Sequence, residues 1–287
     1  MEQGVVNALS EITLVVFTTF GPAGACAFVM VSLFAVFGKV PSDVRTRLNR
    51  YLIAPVLIAM VGLVASATHL GTPANALYVL TGIGRSPLSN EVGAAVLFLA
   101  LSASLWFSSF FAKEYAVFRK ILAGFAVTAA LLFIHAVAIV YSVITIPTWA
   151  SVYAPFNQWM LALILGSFIA LLTLYWAGCG ECRRFEIITL AISAAALLLS
   201  LVSFMLQSME LSGITNSWTS ADELMPVYGL VIGIYAAAEL IAIVLVAPIK
   251  VIRSHISRFP FVACTISAFG VFVMRFSFYM MHMTIGF

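Results

Sequence analysis

The sequence predicts an all-α integral membrane protein with eight transmembrane helices and both termini on the extracytoplasmic side. Of its 287 residues, 63% are hydrophobic and only 9% are charged, whereas soluble domains typically contain about 25% charged residues. The apolar stretches are long and do not alternate with polar residues, which favours helices over the strands of a β-barrel. Lys and Arg are concentrated in alternate connections, which indicates the orientation.

Each predicted span is an apolar stretch of about 20 residues, the length that crosses a bilayer as a helix. The predicted spans are residues 12–38, 51–70, 91–112, 121–143, 157–178, 187–209, 227–247 and 260–282. The segment before the first span contains acidic residues and no basic cluster, so it does not resemble a cleaved signal peptide. No linker or soluble domain separates the spans. We therefore expect residues 1–287 to form a single membrane domain.

The basic residues predict which connections face the cytoplasm. Of the 14 Lys and Arg residues, 12 follow the odd-numbered spans: Lys39, Arg45, Arg47, Arg50, Lys113, Arg119, Lys120, Arg183, Arg184, Lys250, Arg253 and Arg258. Short connections rich in positive charge remain in the cytoplasm. This topology accounts for the net charge of +3, so no nucleic-acid partner is predicted.

The extracytoplasmic connections are then residues 71–90, 144–156 and 210–226, which are longer and less basic. Trp149, Trp159 and Trp218 lie near their boundaries, where Trp is typically an interfacial anchor. Several prolines restrict the backbone of these connections, so together they could also form a docking surface for a soluble partner.

The four cysteines predict neither a disulfide framework nor a metal centre. Cys26 and Cys264 lie within spans, where Cys behaves as a small apolar residue. Cys179 and Cys182 form a CxxC pair in a short cytoplasmic connection, without the second pair or the thioredoxin-like context that metal or redox use requires. No complete set of iron–sulfur ligands is present in the sequence.

The four histidines do not exclude a haem site. His255 falls in a basic cytoplasmic connection, and His69 and His282 lie near the outer ends of their spans. A haem held between His69 and His282 is geometrically possible. Only His135 lies well inside a span, where a single His is more often part of a structural hydrogen bond.

The two clearest charged residues within spans are Glu239 in the seventh and Arg275 in the eighth. Burial of a charge in the membrane is costly, so such residues indicate function by default. One interpretation is an ion pair that clamps two adjacent helices. The other is a proton path or the polar wall of a quinone site.

His69 and Glu91 flank the connection between the second and third spans. Gly71 and Pro73 terminate the helix after His69, and Ser89 or Asn90 could cap a helix that begins at Glu91. Glu91 could then simply complement the helix dipole. As a pair at one depth, however, a His and a carboxylate suit a carrier that releases protons with its electrons. An imidazole in water has a pKa of about 6.5 and can accept a quinol proton at ordinary pH.

The same motifs resemble the DmsC family, the membrane-anchor subunits of dimethyl sulfoxide reductase. The resemblance begins with THLGTP (68–73) and SPLSNEV (86–92). It continues through four further motifs: VYSVITIPTW (140–149), LQSMEL (206–211), LMPVYG (224–229) and RFSFYMMHMTIG (275–286). The match extends over nearly the whole sequence, and the order and spacing of the motifs make it fairly specific.

The resemblance implies a quinol-oxidising subunit in the bacterial cytoplasmic (inner) membrane that does not itself act on the terminal oxidant of anaerobic respiration. It implies oxidation of menaquinol near the periplasmic side by an anchor with no haem or iron–sulfur cluster of its own. It also implies two soluble partners docked on that face: a four-cluster (4Fe–4S) iron–sulfur subunit and a molybdopterin catalytic subunit, in a heterotrimer.

The resemblance also assigns residues to the quinol pocket. His69 and Glu91 match the family's quinol-site pair, and Leu70, Gly71 and Thr72 match its pocket-lining turn. A basic residue expected near Asn75 is absent, and Arg85 is a possible substitute.

Three alternatives remain open from the sequence. A di-haem cytochrome b-type subunit would absorb light as haem does. A transporter that uses Glu239 and Arg275 would work without a partner. A scaffold would lack a quinone site altogether.

Overall fold

A computed structural model of the protein describes residues 1–38, 40–69, 73–111, 116–179, 182–216, 219–247 and 259–283, with the backbone alone for 73–77 and 116. Eight helices in this part of the protein are long and apolar enough to cross a membrane. The predicted all-α membrane fold is therefore confirmed. The orientation of the termini stays a prediction.

The helices, in sequence order, are α1 (Glu2–Ser10), α2 (Ile12–Phe37), α3 (Ser42–Tyr51), α4 (Ile53–Thr68), α5 (Pro87–Phe107), α6 (Ala116–Val140), α7 (Tyr153–Trp176), α8 (Arg183–Glu210), α9 (Ala221–Leu224), α10 (Tyr228–Val246) and α11 (Phe259–Met280). Short 3₁₀ helices occur at Pro73–Gly82, Ser108–Phe110 and Leu211–Gly213. The helices α2, α4, α5, α6, α7, α8, α10 and α11 correspond to the eight predicted spans.

Helices α1 and α3 were not predicted, and they define the two ends of the bundle. At the end that we call the terminus end, the amino group of Met1 donates to the Glu223 carbonyl, and the Asn7 side chain donates to the His282 carbonyl. At the opposite end, which we call the basic end, Arg47 of α3 donates to the Ala177 carbonyl after α7. The predicted cytoplasmic cations that the structure describes lie at this basic end.

Helices α2 and α7 form the centre of the bundle, and α2 packs against α4, α6, α7 and α11. The contact between α2 and α4 depends on glycine. A Cβ atom added at Gly62 would lie 2.7 Å from the backbone nitrogen of Gly21, and one added at Gly24 would lie 2.6 Å from the Pro55 oxygen. Glycines let two membrane helices approach this closely, and the approach fixes how the two helices align.

Helix α5 begins four residues earlier than predicted. Ser86 is the N-cap, its Oγ accepting from the Ser89 N–H, and Pro87 occupies the first turn. The suggestion that Ser89 or Asn90 caps this helix is therefore wrong. Pro is favoured in a first helical turn because its missing N–H would lack a helical partner there anyway. Glu91 consequently lies beyond the first turn, and it is buried.

The connection between α6 and α7 is attached to the end of α11. The Trp149 indole donates to the Phe278 carbonyl at 3.0 Å and stacks on the Phe278 ring. Trp149 is buried, so it is not the lipid-interface anchor that its position suggested. Trp218 lies outside the described residues.

Candidate functional site

His69 faces a carboxylate that the sequence pattern did not single out. Its Nε2 atom lies 3.2 Å from Oε2 of Glu11, and 42% of the His69 side chain remains exposed. His69 follows the last turn of α4, and Glu11 precedes the first turn of α2. The glycine contact between these antiparallel helices determines how close His69 and Glu11 lie. Gly62 precedes His69 by seven residues, or roughly 10 Å of helix.

Glu91 lies inside the bundle near the terminus end. Only 3% of the residue is exposed, and Oε2 has no hydrogen-bond partner among the described residues. No ion pair or hydrogen bond in that part of the protein joins Glu91 to His69. The sequence predicted that the two residues lie together at the two ends of one connection. In the structure, His69 instead lies beside Glu11, and Glu91 is buried in the interior of the bundle.

Glu91 belongs to a buried cluster around Tyr141. Tyr141 interacts electrostatically with both Glu91 and Arg275. The Arg275 guanidinium lies 4.3 Å from the centre of the Phe278 ring and 5.8 Å from that of Tyr141. The Tyr141 and Tyr279 rings meet edge to face at 5.8 Å. A carboxyl group and a guanidinium group thus both interact with one phenol.

Arg275 does not form the predicted clamp with Glu239. Its Nε donates to Thr18 Oγ1 at 2.9 Å, and Nη2 has no partner among the described residues. Glu239 instead lies on the side of α10 that faces Gly270 of α11. Among the described residues, the ion pairs are Arg47–Asp43 and His69–Glu11. The first interpretation of Glu239 and Arg275, a helix-clamping pair, is therefore wrong.

Other polar side chains extend this cluster across the terminus end. Gln158 donates to the Thr18 carbonyl at 3.0 Å, and Asn157 and Tyr228 both donate to Gln207 Oε1 at 3.2 Å. These residues come from α2, α7, α8 and α10, so four helices contribute to one buried polar layer.

A large apolar pocket lies between α5 and α6, next to this layer. Its volume is about 830 Å³, and the polar residues in its lining are Asn90 and His135. Leu80, Ile83 and Pro87 form its end toward the connection that joins His69 to Glu91. No described residue hydrogen-bonds to His135, whose ring lies 6.4 Å from that of Trp159. His135 is thus not the hydrogen-bonded structural residue that was expected.

The sequence is similar to known proteins along nearly its whole length. A sequence model of the DMSO reductase anchor subunit family (DmsC) matches residues 5–279. The protein belongs to the DmsC family. It is 28% identical over 281 residues to the C subunit of the anaerobic dimethyl sulfoxide reductase of Escherichia coli (strain K12), a match that spans 96% of each sequence. It is 30% identical over 223 residues to the YnfH subunit of an anaerobic dimethyl sulfoxide reductase of that organism, a match that spans 77% of each.

Membership of the DmsC family establishes the coarse role of the protein. It is a multi-span membrane anchor subunit of the DMSO reductase type. An anchor subunit implies catalytic and electron-transferring partner subunits, because this membrane domain is only one part of such an enzyme.

The structure describes only one of the remaining predicted pocket residues of this DmsC-family protein. Leu70, Gly71 and Thr72 lie outside the described residues. Arg85 is exposed, and its guanidinium donates to the Thr81 carbonyl at 3.0 Å. This contact holds Arg85 against the preceding 3₁₀ helix, which ends at Gly82.

The cysteines and the outer histidines show no metal-ligand arrangement in the described residues, where no group of three or more His, Cys, Asp or Glu could hold an ion. Burial raises the pKa of the Cys179 thiol to about 11, with Cys182 adding to the shift. Such a thiol stays protonated at neutral pH and is a poor ligand. The His282 ring stacks on Trp149 at 4.9 Å, and His255 lies outside the described residues.

Sequence reasoning missed Glu11, Thr18 and Tyr141 in this DmsC-family protein. An acidic residue directly before a span looks like an ordinary water-facing residue at the end of a helix. Its importance depends on which helix lies beside it. The glycines of α2 were the available signal, since small residues spaced along a membrane helix mark a close helix contact.

Proposed function

We propose that this protein oxidises menaquinol at the terminus end and passes the electrons to an iron–sulfur partner subunit. Menaquinol loses two protons and two electrons and leaves as menaquinone. The terminus end is the side that the charge distribution predicts to be extracytoplasmic. The observation that carries the proposal is the partly exposed His69 imidazole, whose Nε2 lies 3.2 Å from the Glu11 carboxylate.

His69 accepts a hydroxyl proton from the quinol in this scheme. No described residue hydrogen-bonds to Nδ1, so that nitrogen faces the substrate while Nε2 faces Glu11. The Glu11 carboxylate, 3.2 Å from Nε2, attracts the imidazolium that forms, because opposite charges at this separation interact favourably. The proton then leaves to water through the exposed part of His69.

Glu91 receives the second proton and passes it to the water at the terminus end before the next turnover. A buried carboxylate is unfavourable without a partner, and one oxygen of Glu91 has none among the described residues. Proton uptake would therefore relieve an unfavourable charge. Tyr141 interacts electrostatically with both Glu91 and Arg275 and gives this carboxyl group a polar neighbour.

The pocket between α5 and α6 admits the quinol from the bilayer. It is apolar, and several of its lining side chains are exposed on the outside of the bundle: Val96, Leu97, Leu132 and Ile139. An isoprenoid tail needs such a surface, whereas the quinol ring needs the polar groups at the terminus end. We place the tail in this pocket and the ring toward the connection between His69 and Glu91.

The partner subunits dock on the terminus end. This end of the bundle exposes large apolar side chains that would be unfavourable in water: Tyr78, Ile144, Val152 and Met209. Exposed apolar patches of this kind mark interaction surfaces. Protons released here enter the outer compartment, and a catalytic subunit that consumes protons on the same side would leave no proton gradient.

The test uses the assembled complex with His69→Arg. This variant should abolish turnover driven by a menaquinol analogue and weaken quinol-analogue binding. Turnover driven by a reduced dye that feeds the soluble subunits directly should be retained. Quinol oxidation at the unmodified rate would refute the proposal. Loss of dye-driven turnover as well would mean that His69 serves assembly.

A further inference from the structure

A second pocket lies at the basic end, far from the proposed quinol site. It has a volume of about 100 Å³ and lies among the ends of α2, α3, α4, α5 and α6. Its polar lining consists of Ser32, Arg45, Asn49, Arg119 and Lys120. Three cations from two separate segments of the sequence thus converge on one small space.

These cations have no carboxylate partner among the described residues. Asp43, the acidic residue on α3, is paired with Arg47 at 3.1 Å and does not line the pocket. Arg45 reaches only the Gly38 carbonyl at 3.4 Å, and Arg119 donates to Ser108 Oγ at 3.2 Å. The pocket therefore has an excess of positive charge.

Two buried groups in this pocket also lack hydrogen-bond partners. Ser32 is only 2% exposed, and its Oγ bonds to no described residue. The Nε atom of Arg45 is likewise buried without a partner among the described residues. A buried donor left unsatisfied costs free energy, so these groups indicate a bound acceptor. Arg and Ser donors around one space suit the oxygens of a phosphate group.

We propose that this pocket binds the phosphate of an anionic phospholipid in the cytoplasmic leaflet. The source is a lipid because apolar side chains at the same ends of α5 and α6 are exposed on the outside of the bundle: Phe107, Phe110, Phe118 and Ile121. They form a surface for acyl chains beside the cationic pocket. Basic pockets between membrane helices on the cytoplasmic side bind anionic headgroups.

Lipid at this position joins the ends of α2, α4, α5 and α6. Helix α5 and helix α4 also border the connection that holds His69 and Glu91, so a bound lipid stabilises the helices that carry the site without contacting it. The inference is independent of quinol oxidation, because it concerns the opposite end of the bundle.

The experiment titrates the delipidated full-length protein in detergent with phosphatidylglycerol, phosphatidylcholine and inorganic phosphate, read by native mass spectrometry and thermal unfolding. The test variant is R45Q/R119Q. The control is R183Q/R184Q, which removes two exposed cations at the same end outside the pocket. R119Q alone serves if the double variant does not fold.

The unmodified protein should retain phosphatidylglycerol over phosphatidylcholine and gain thermal stability from it. R45Q/R119Q should lower this affinity by at least about tenfold, and R183Q/R184Q should leave it nearly unchanged. An equal loss in both variants would reveal general charge attraction and overturn the proposal. Stabilisation by inorganic phosphate without retention of phosphatidylglycerol would assign the pocket to a free anion.

Glu114 provides a further control, because it precedes Arg119 in the connection that lies outside the described residues. Retention of phosphatidylglycerol by E114Q but not by the unmodified protein would mean that the protein neutralises its own pocket. That result would also overturn the proposal.

Discussion

Glu11 precedes the first membrane-spanning helix, α2, and His69 follows the second, α4, and their side chains approach to 3.2 Å at the terminus end of the bundle. The carboxylate is mostly shielded, whereas the imidazole is partly exposed. This arrangement places a carboxylate beside the imidazole. It also leaves one face of the ring open to a substrate.

Glu11→Gln should slow quinol-driven turnover about tenfold, because it removes the negative charge beside the His69 imidazolium, an effect of about 1.4 kcal/mol. Dye-driven turnover should not change. Glu2→Gln, which alters an exposed carboxylate on α1, is the matched control. The measurement is steady-state oxidation of a menaquinol analogue by the assembled complex. If E11Q and E2Q behave alike, Glu11 does not act on His69.

Glu91→Gln should reduce quinol oxidation while the complex still assembles, because Gln keeps the size of the side chain and removes the carboxyl group. Glu91→Lys should also destabilise the protein, since it buries a second cation near Arg275. Glu91→Lys should therefore lower the amount of assembled complex. Quinol-driven turnover of E91Q is measured beside that of Glu239→Gln, another buried carboxyl. A loss in E239Q alone would move the proton path to α10.

The residues of this site illustrate what the sequence could predict. Hydrophobic length predicted all eight spans, because a bilayer imposes a long apolar stretch on each helix. His69 could be singled out, because it and Glu91 flank one connection and because it lies in the THLGTP motif. Glu11 could not, because its partner depends on the Gly62–Gly21 contact between two helices. Periodicity does not reveal which membrane helices are neighbours.

The predictions for Glu91 and Arg275 were wrong for a related reason. The predicted start of the third span omitted its first turn, since Pro87 and Ser86 look like part of a loop. This placed Glu91 at a helix end instead of in the interior. The sequence suggested Glu239 as the partner of Arg275, whereas in the structure Arg275 contacts aromatic rings and Thr18. Charge alone does not identify the partner of a buried cation.

Gly62→Leu should destabilise the protein and also impair quinol oxidation. The added side chain would collide with the α2 backbone at Gly21, and overpacking of a tight contact costs about 1–3 kcal/mol. Separation of α2 from α4 would also part His69 from Glu11. Gly233→Leu is the control, because a Cβ atom at Gly233 meets nothing within 4 Å. Thermal unfolding and quinol-driven turnover are measured together; equal melting temperatures for the two variants would contradict the glycine contact.

Topology reporters should place residue 80 outside the cytoplasm and residue 47 inside. The reason is the concentration of Lys and Arg at the basic end, which holds that end in the cytoplasm. Alkaline phosphatase fusions report the outer side and green fluorescent protein fusions report the inner side. A cytoplasmic signal at residue 80 would reverse the orientation and place quinol oxidation on the other face of the membrane.

Leu97→Trp/Leu132→Trp should block the pocket between α5 and α6. Both leucines line it and are exposed on the outside of the bundle, so larger side chains can be added there without disturbing the interior. The matched control is Leu198→Trp/Val202→Trp, which enlarges two exposed side chains on α8 outside the pocket. The test pair should raise the KM for a menaquinol analogue at least about tenfold, a loss of about 1.4 kcal/mol that roughly two displaced methylene groups would account for. Dye-driven turnover and the amount of assembled complex should match the control pair. An unchanged KM in the test pair would show that the quinol reaches His69 by another route, and the pocket would then hold only lipid.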